Sequence, residues 1–172
     1  MGYKLAYLGA ICRRDLSRYP RPCACVADEF QTFSVVQDSV TQELIRESAG
    51  IVCYATQSLQ AIARRLHEHK PGSGVFSLVG NIMNRVVLQS GEEETVRWMA
   101  DAWGKEYQNV PEMHGQHVSI RNDYRYKVEP ATLTSLQTPT RDFPYAVGCV
   151  YRGGQLFKEN GEPFLYHAFP RL

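Results

Sequence analysis

No run in this sequence approaches the ~20 apolar residues that a membrane helix needs, which excludes a helical anchor within it. Missing too is G-x-x-x-x-G-K-[ST], the loop whose backbone amides cradle nucleotide phosphates while its lysine reaches the β/γ oxygens. The nearest glycine cluster, Lys70-Pro71-Gly72-Ser73-Gly74, carries its lysine on the wrong side and reads as a turn between two helices. Charge of one sign is scarce. A net charge of +1 supplies no basic field of the kind that dominates DNA affinity. The first residues lack the apolar core of a signal peptide, and Arg13, Arg14, Arg18 and Arg21 follow. Five cysteines in a sequence that reads as cytosolic point to reduced thiols rather than a disulfide framework, and the lack of paired C-x₂-C spacing argues against a metal site. No repeat, low-complexity tract or clear linker divides the chain. Its 172 residues suffice for one core, and a single domain over 1–172 is the expectation.

What the sequence does contain is an alternation of helical and strand patterns. Lys4 to Arg18 reads as a helix with Leu5, Leu8, Cys12 and Leu16 roughly on one face, broken by Tyr19-Pro20-Arg21-Pro22. Asp38 is the expected cap of a helix through Glu47 that ends at Gly50. Leu59, Ile62, Ala63 and Leu66 fall at helical spacing in a segment from Ser58 to about His69, and Val75 to Met83 reads as a short helix. Arg85 to Gln89 reads as a strand. Ser90 and Glu93 make a capping-box pattern for a helix burying Val96, Met99, Ala100 and Trp103. Such alternation implies βαβ crossovers and a parallel sheet. Beyond Gly104 the period changes. His117 to Tyr126 reads as an edge strand or extended segment, and Glu129-Pro130 opens a short helix through Leu136. Tyr145–Tyr151 and Gln155–Lys158 flank the turn signal Arg152-Gly153-Gly154.

Pro22 to Phe33, PCACVADEFQTF, carries the most chemistry. The apolar run Ala24-Cys25-Val26-Ala27 stops at Asp28-Glu29, which suits a buried strand, with a helix as the alternative. In parallel α/β sheets, strands are buried on both faces and ligands sit beyond their carboxyl ends. Two carboxylates there suit nucleotide hydrolysis: one holds Mg²⁺ and the other orients the attacking water, the Walker B arrangement. The blander reading is a strand followed by a helix whose first turn favours acids. A second short apolar run, Gly50 to Ala55, ends in Thr56-Gln57-Ser58-Leu59-Gln60. In a parallel sheet Gln57 emerges at the same rim, with an amide able to sense a γ-phosphate or the attacking water.

VADEFQTF (26–33), IRESAGIVCYATQSLQAI (45–62) and VGNIMNRVVLQSGEEETVRWMADAWGKE (79–106), in this order, resemble the carboxy-terminal half of the motor domain of type IV secretion coupling proteins, the TraG/TraD-class ATPases of bacterial conjugation. YRYKVEPATLTSL (124–136) and the Tyr-rich end resemble the family's usual ending, so the likeness runs from Ala24 nearly to the C-terminus. The resemblance implies a RecA-like α/β fold, partial because the Walker A strand is missing. Residues 1–106 would form the Walker B and sensor part, and 107–172 a C-terminal extension with a β-hairpin. It also implies roles. Asp28 would coordinate Mg²⁺, Glu29 polarise water and Gln57 sense the γ-phosphate of ATP. Arg46, where the family carries a basic residue at a subunit boundary, would reach a neighbouring subunit's phosphate in trans, against the plainer reading of a solvated helix-end arginine. The complete machine would be a ring at the cytoplasmic face of the inner membrane, coupling relaxase-bound DNA to secretion-channel components. Complete members also carry amino-terminal membrane helices. Without them and the P-loop the chain reads as half a motor, inactive alone and not itself inserted in a membrane: a fragment, a split-gene product or a P-loop-less relative. A non-enzymatic module that binds a secretion ATPase or its substrate is the alternative.

Other constellations favour plainer readings. Cys23 and Cys25 share a strand face and, with Cys12 and Cys53, read as core rather than a metal site. His67 and His69 diverge on a helix, and His114 and His117 fall in a polar loop. Cys53 lies mid-strand, which suits the core better than a thiol nucleophile.

Overall fold

The computed structural model describes residues 2–114 and 117–170 and divides into two compact units, Met1–Ile82 and Met83–Leu172. Among the described residues no helix is long and apolar enough to cross a membrane.

The first unit runs α1 (Gly2–Cys12), β1 (Cys23–Ala27), a 3-10 turn (Phe30–Thr32), α2 (Gln37–Ile45), β2 (Gly50–Tyr54), α3 (Leu59–Arg65) and α4 (Ser73–Gly80). β1 and β2 are parallel, as expected, in register from Cys23 opposite Gly50 to Ala27 opposite Tyr54. α1 stops six residues short of Arg18, because Asp15 draws the backbone into a local turn. Its carboxylate accepts the N–H and hydroxyl of Ser17 at 2.9 and 2.7 Å. Asp38 does not cap α2 from outside. It sits in the buried first turn, accepting from Val35 N–H at 2.9 Å and from Lys4 Nζ at 2.6 Å.

The strands are packed on one face only, against the expectation of burial on both. Cys23, Cys25 and Val52 lie against Leu8, Ile11 and Ile45, whereas Ala24, Val26, Ile51 and Cys53 are exposed. Helices α1 and α2 contribute to the same apolar cluster, and a two-stranded sheet has no second layer in this unit to cover its other side. Cys53 is therefore mid-strand but not core. Gly50 is required by a close approach: a Cβ there would lie 2.2 Å from Ile45 Cγ1 and 2.9 Å from Ile11 Cγ2.

The second unit contains β3 (Asn84–Val87), α5 (Glu93–Trp103), β4 (Lys105–His114), β5 (His117–Tyr126), α6 (Pro130–Thr134), β6 (Tyr145–Arg152) and β7 (Phe164–Pro170). β3 does not extend the parallel sheet. It pairs antiparallel with β6, which pairs antiparallel with β7, in the order β3-β6-β7. The arrangement places Val87 and Cys149 over Val96, Trp103, Val128, Leu133 and Leu136, a core that strand–helix alternation alone does not reveal. The expected strand at 155–158 is a loop. The true partner of β6 is β7, with Tyr145 opposite Pro170 and Tyr151 opposite Phe164. Bonds from Phe157 N–H to Glu162 C=O and from Gly161 N–H to Phe157 C=O, both 2.8 Å, close that loop before β7 begins. α5 is capped by Glu92, whose Oε2 accepts from Thr95 N–H at 3.1 Å, rather than by Ser90. Its buried residues are those that the period predicts, Val96, Ala100 and Trp103, with Met99 partly buried.

Candidate functional site

The carboxyl ends of β1 and β2 form one rim. Ala55 N–H donates to Ala27 C=O at 2.9 Å, and Phe30 N–H donates to Ala55 C=O at 2.8 Å, so the two chains leave the sheet tied together. Beneath the rim, buried Phe30 stacks on Tyr54 with ring centroids 4.0 Å apart, and Lys4 Nζ lies 5.1 Å from the Phe30 ring. The aromatic floor fixes where the following polar residues stand.

Asp28, Glu29 and Gln57 are exposed on this rim. Asp28 Oδ1 accepts the Glu29 N–H at 2.9 Å. Glu29 has φ 51° and ψ 41°, the left-handed conformation that a non-glycine residue seldom adopts. The turn brings its carboxylate to Gln57, whose Nε2 donates to Oε2 at 3.1 Å and to Oε1 at 3.3 Å. Gln31 Nε2 also donates to Glu29 Oε2, and Gln31 Oε1 accepts from Thr56 Oγ1 at 2.8 Å. Two amides thus orient one carboxylate. Gln31 and Thr56 are members of this network that sequence reasoning did not single out, although both lie inside the DEFQTF and TQSLQ blocks. Ser58 Oγ, accepting from Ala61 N–H at 3.1 Å, caps α3 and anchors the segment after Gln57.

Arg46 does not join them. It is an exposed residue at the C-cap of α2, beside the amino-terminal end of β2. The five-residue strand separates it from the rim by about 16 Å. The glycine cluster is the turn between α3 and α4, and its amides are occupied from within: Gly72 and Gly74 N–H donate to Glu68 Oε2 and Oε1, each at 3.0 Å.

Among the described residues no three His, Cys, Asp or Glu side chains group together as a metal site. Cys12, Cys23 and Cys25 pack at the edge of the Leu8–Ile11–Ile45 cluster. Burial pushes the Cys25 thiol above its usual range, with Lys4 opposing and Asp38 adding to the shift. His67 is exposed with φ 62° at the end of α3, and His69 is exposed beyond it. The side chains of His114 and His117 lie outside the described residues.

The fold matches solved structures of conjugative coupling proteins. The bacterial conjugative coupling protein TrwBdeltaN70, in its unbound monoclinic form, superposes with a TM-score of 0.70 at 14% identity, over 97% of this chain and 35% of that one. The plasmid coupling protein TrwB bound to the non-hydrolysable ATP analogue ADPNP gives 0.67 at 14% identity, over 97% and 34%. TrwB bound to the GTP analogue GDPNP gives the same figures, 0.67, 14%, 97% and 34%. The chain thus spans about a third of the length of these structures. No curated protein matches its sequence. Residues 22–136, about two thirds of the chain, match the family described as the TraM recognition site of TraD and TraG, and the protein belongs to that family.

Proposed function

We propose that this chain is the portion of a conjugative coupling ATPase that supplies the acid pair and the phosphate sensor to a nucleotide site completed by a P-loop-bearing part. One observation carries the reading: Asp28, Glu29 and Gln57 stand at the same carboxyl-end rim of two parallel strands, with the Gln57 amide on the Glu29 carboxylate. In hydrolysis the water oxygen bonds to the γ-phosphorus of ATP, the bond from that phosphorus to the β,γ-bridging oxygen breaks, and a water proton passes to Glu29. Gln31 and Gln57 hold the Glu29 carboxylate toward the water. When the nucleotide arrives, the Gln57 amide can donate to a γ-phosphate oxygen instead.

Mg²⁺ is the implied cofactor. An exposed carboxylate with one oxygen already engaged, Asp28, suits a cation that keeps most of its waters and takes the rest of its ligands from phosphate. Bound there, the ion would neutralise charge on the β- and γ-phosphates. Arg46, remote from its own rim, would serve a neighbouring motor subunit. The assembled ring would pass relaxase-bound DNA toward secretion-channel components from the cytoplasmic face of the inner membrane. The family description favours a second reading, a non-enzymatic module that recognises TraM or a similar accessory protein.

Calorimetry on the isolated chain tests the division of labour. ATP–Mg²⁺ should bind no tighter than about 1 mM, because the phosphate cradle is missing. Micromolar binding abolished by Asp28→Ala would show a different phosphate site. Turnover that appears when a P-loop-bearing part is added, and disappears with Asp28→Ala, separates the motor from the module.

A further inference from the structure

Within the first unit a cleft of about 280 Å³ opens between the start of α2 and the end of α3. Val36 stands at the N-cap of α2, and its side chain offers nothing to the leading amides. Asp38 N–H donates to Val35 C=O at 3.0 Å, and Ser39 N–H to Val36 C=O at 3.3 Å. Among the described residues nothing accepts from the amides of Val36 and Gln37, which the helix leaves for a partner from outside. Ser34 lines the same cleft and is 1% exposed, yet its Oγ has no hydrogen-bond partner among them. A buried hydroxyl in that position costs stability unless something else bonds it. From α3 come two exposed donors, Arg65 and His67. His67 closes α3 at φ 62°, the left-handed position that glycine usually fills, and Glu68 N–H bonds back to Ala63 C=O at 2.9 Å.

We propose that this cleft binds a phosphate group, held by the Val36 and Gln37 amides, the Ser34 hydroxyl and the Arg65 guanidinium, with the His67 ring as a further donor. Each polar side chain lining it can donate a hydrogen bond, and no carboxylate lines it. The start of α2 adds the partial positive charge that draws anions to helix N-termini. Arginine's planar fork matches two phosphate oxygens at once. The neighbouring acids are engaged elsewhere. Asp38 Oδ2 accepts from Val35 N–H at 2.9 Å and from Lys4 Nζ at 2.6 Å, and Glu68 holds the amides of Gly72 and Gly74. The volume falls below the ~300–1,000 Å³ of pockets that enclose drug-sized molecules, so it suits a phosphate group rather than a whole nucleotide. Asp28, Glu29 and Gln57 do not line the cleft, and the inference stands apart from the ATPase reading.

Amide NMR of the full chain, titrated with inorganic phosphate to about 50 mM against sodium chloride of equal ionic strength, tests it. The Val36 and Gln37 amides should shift saturably with phosphate and not with chloride. Arg65→Gln should weaken binding about 10-fold, because a charge-assisted pair is lost. Ser34→Ala should weaken it several-fold while the urea midpoint stays level or rises, since the hydroxyl bonds nothing in the fold. A merely structural role for Ser34 would lower that midpoint instead. Asp28→Ala should leave these shifts unchanged. A thymidine decanucleotide without terminal phosphates identifies the source. If it moves the same amides at lower concentration than inorganic phosphate, the group belongs to a nucleic-acid backbone; if inorganic phosphate alone moves them, it is a free phosphate or a monoester. Shifts no larger than those from chloride, either cleft variant binding like the parent, or binding lost in Asp28→Ala would overturn the proposal.

Discussion

The side-chain amide of Gln57 donates to both carboxylate oxygens of Glu29, at 3.1 and 3.3 Å, across the junction of two parallel strands. The two residues are 28 positions apart in sequence, and only parallel pairing of β1 with β2 brings them together. Antiparallel pairing would have placed them at opposite ends of the sheet. The left-handed backbone of Glu29 completes the approach, a costly local conformation held by the Phe30–Tyr54 stack beneath it.

Gly50 should tolerate no side chain. A methyl group there meets Ile45 and Ile11 below van der Waals distance in the core of the first unit. Gly50→Ala is expected to lose about 1–3 kcal/mol of stability in urea unfolding, as overpacked cores do. An unchanged midpoint would mean that α2 and β2 are less tightly apposed than described.

Lys4 and Asp38 form an ion pair at 2.6 Å whose side chains are 10% and 0% exposed. Lys4 Nζ also donates to Phe33 C=O at 2.9 Å. Lys4→Met leaves a buried carboxylate without its cation and should cost about 3–5 kcal/mol. Asp38→Asn in the same chain should recover part of the loss, because the charge that needed a partner is gone. Additive losses in the double variant would show that the pair is not coupled.

Burial pushes the Cys149 thiol up to about 12 from its ordinary 9.0. The folded state therefore keeps its proton where the unfolded chain has lost it. The associated stability is complete below pH 9 and falls as pH rises from 9 toward 12. Burial raises Tyr54 and Tyr166 in the same direction. Urea midpoints measured across this window should drop with pH, and Cys149→Ala should flatten the slope. An equal slope in the variant would remove Cys149 as a contributor.

The sequence made the rim legible because its signals are local and abrupt: an apolar run that stops at Asp28-Glu29, another that stops at Thr56-Gln57. The parallel pairing followed from the helix between them. The burial of one face only was not legible, since Val26 and Ile51 have the composition of core residues whether or not a second layer covers them. β3 shows the same limit. Asn84–Val87 has the length and pattern of a further parallel strand, yet its partner, β6, lies some 60 residues on. β4 was hidden by its polar residues and Pro111, and β7 by the nearer turn signal at Gly153-Gly154. Gln31 was missed because an amide in a loop is ordinary until its neighbours in space are known.

The most direct measurement is single-turnover ATP hydrolysis by a motor assembled from this chain and a P-loop-bearing part, comparing the parent with Glu29→Gln. The substitution keeps the shape of the side chain and removes its capacity to take a proton. Nucleotide binding should stay largely intact while hydrolysis falls by two or more orders of magnitude, on the order of 3 kcal/mol in the barrier. Unchanged turnover would show that Asp28-Glu29 is only the start of a turn.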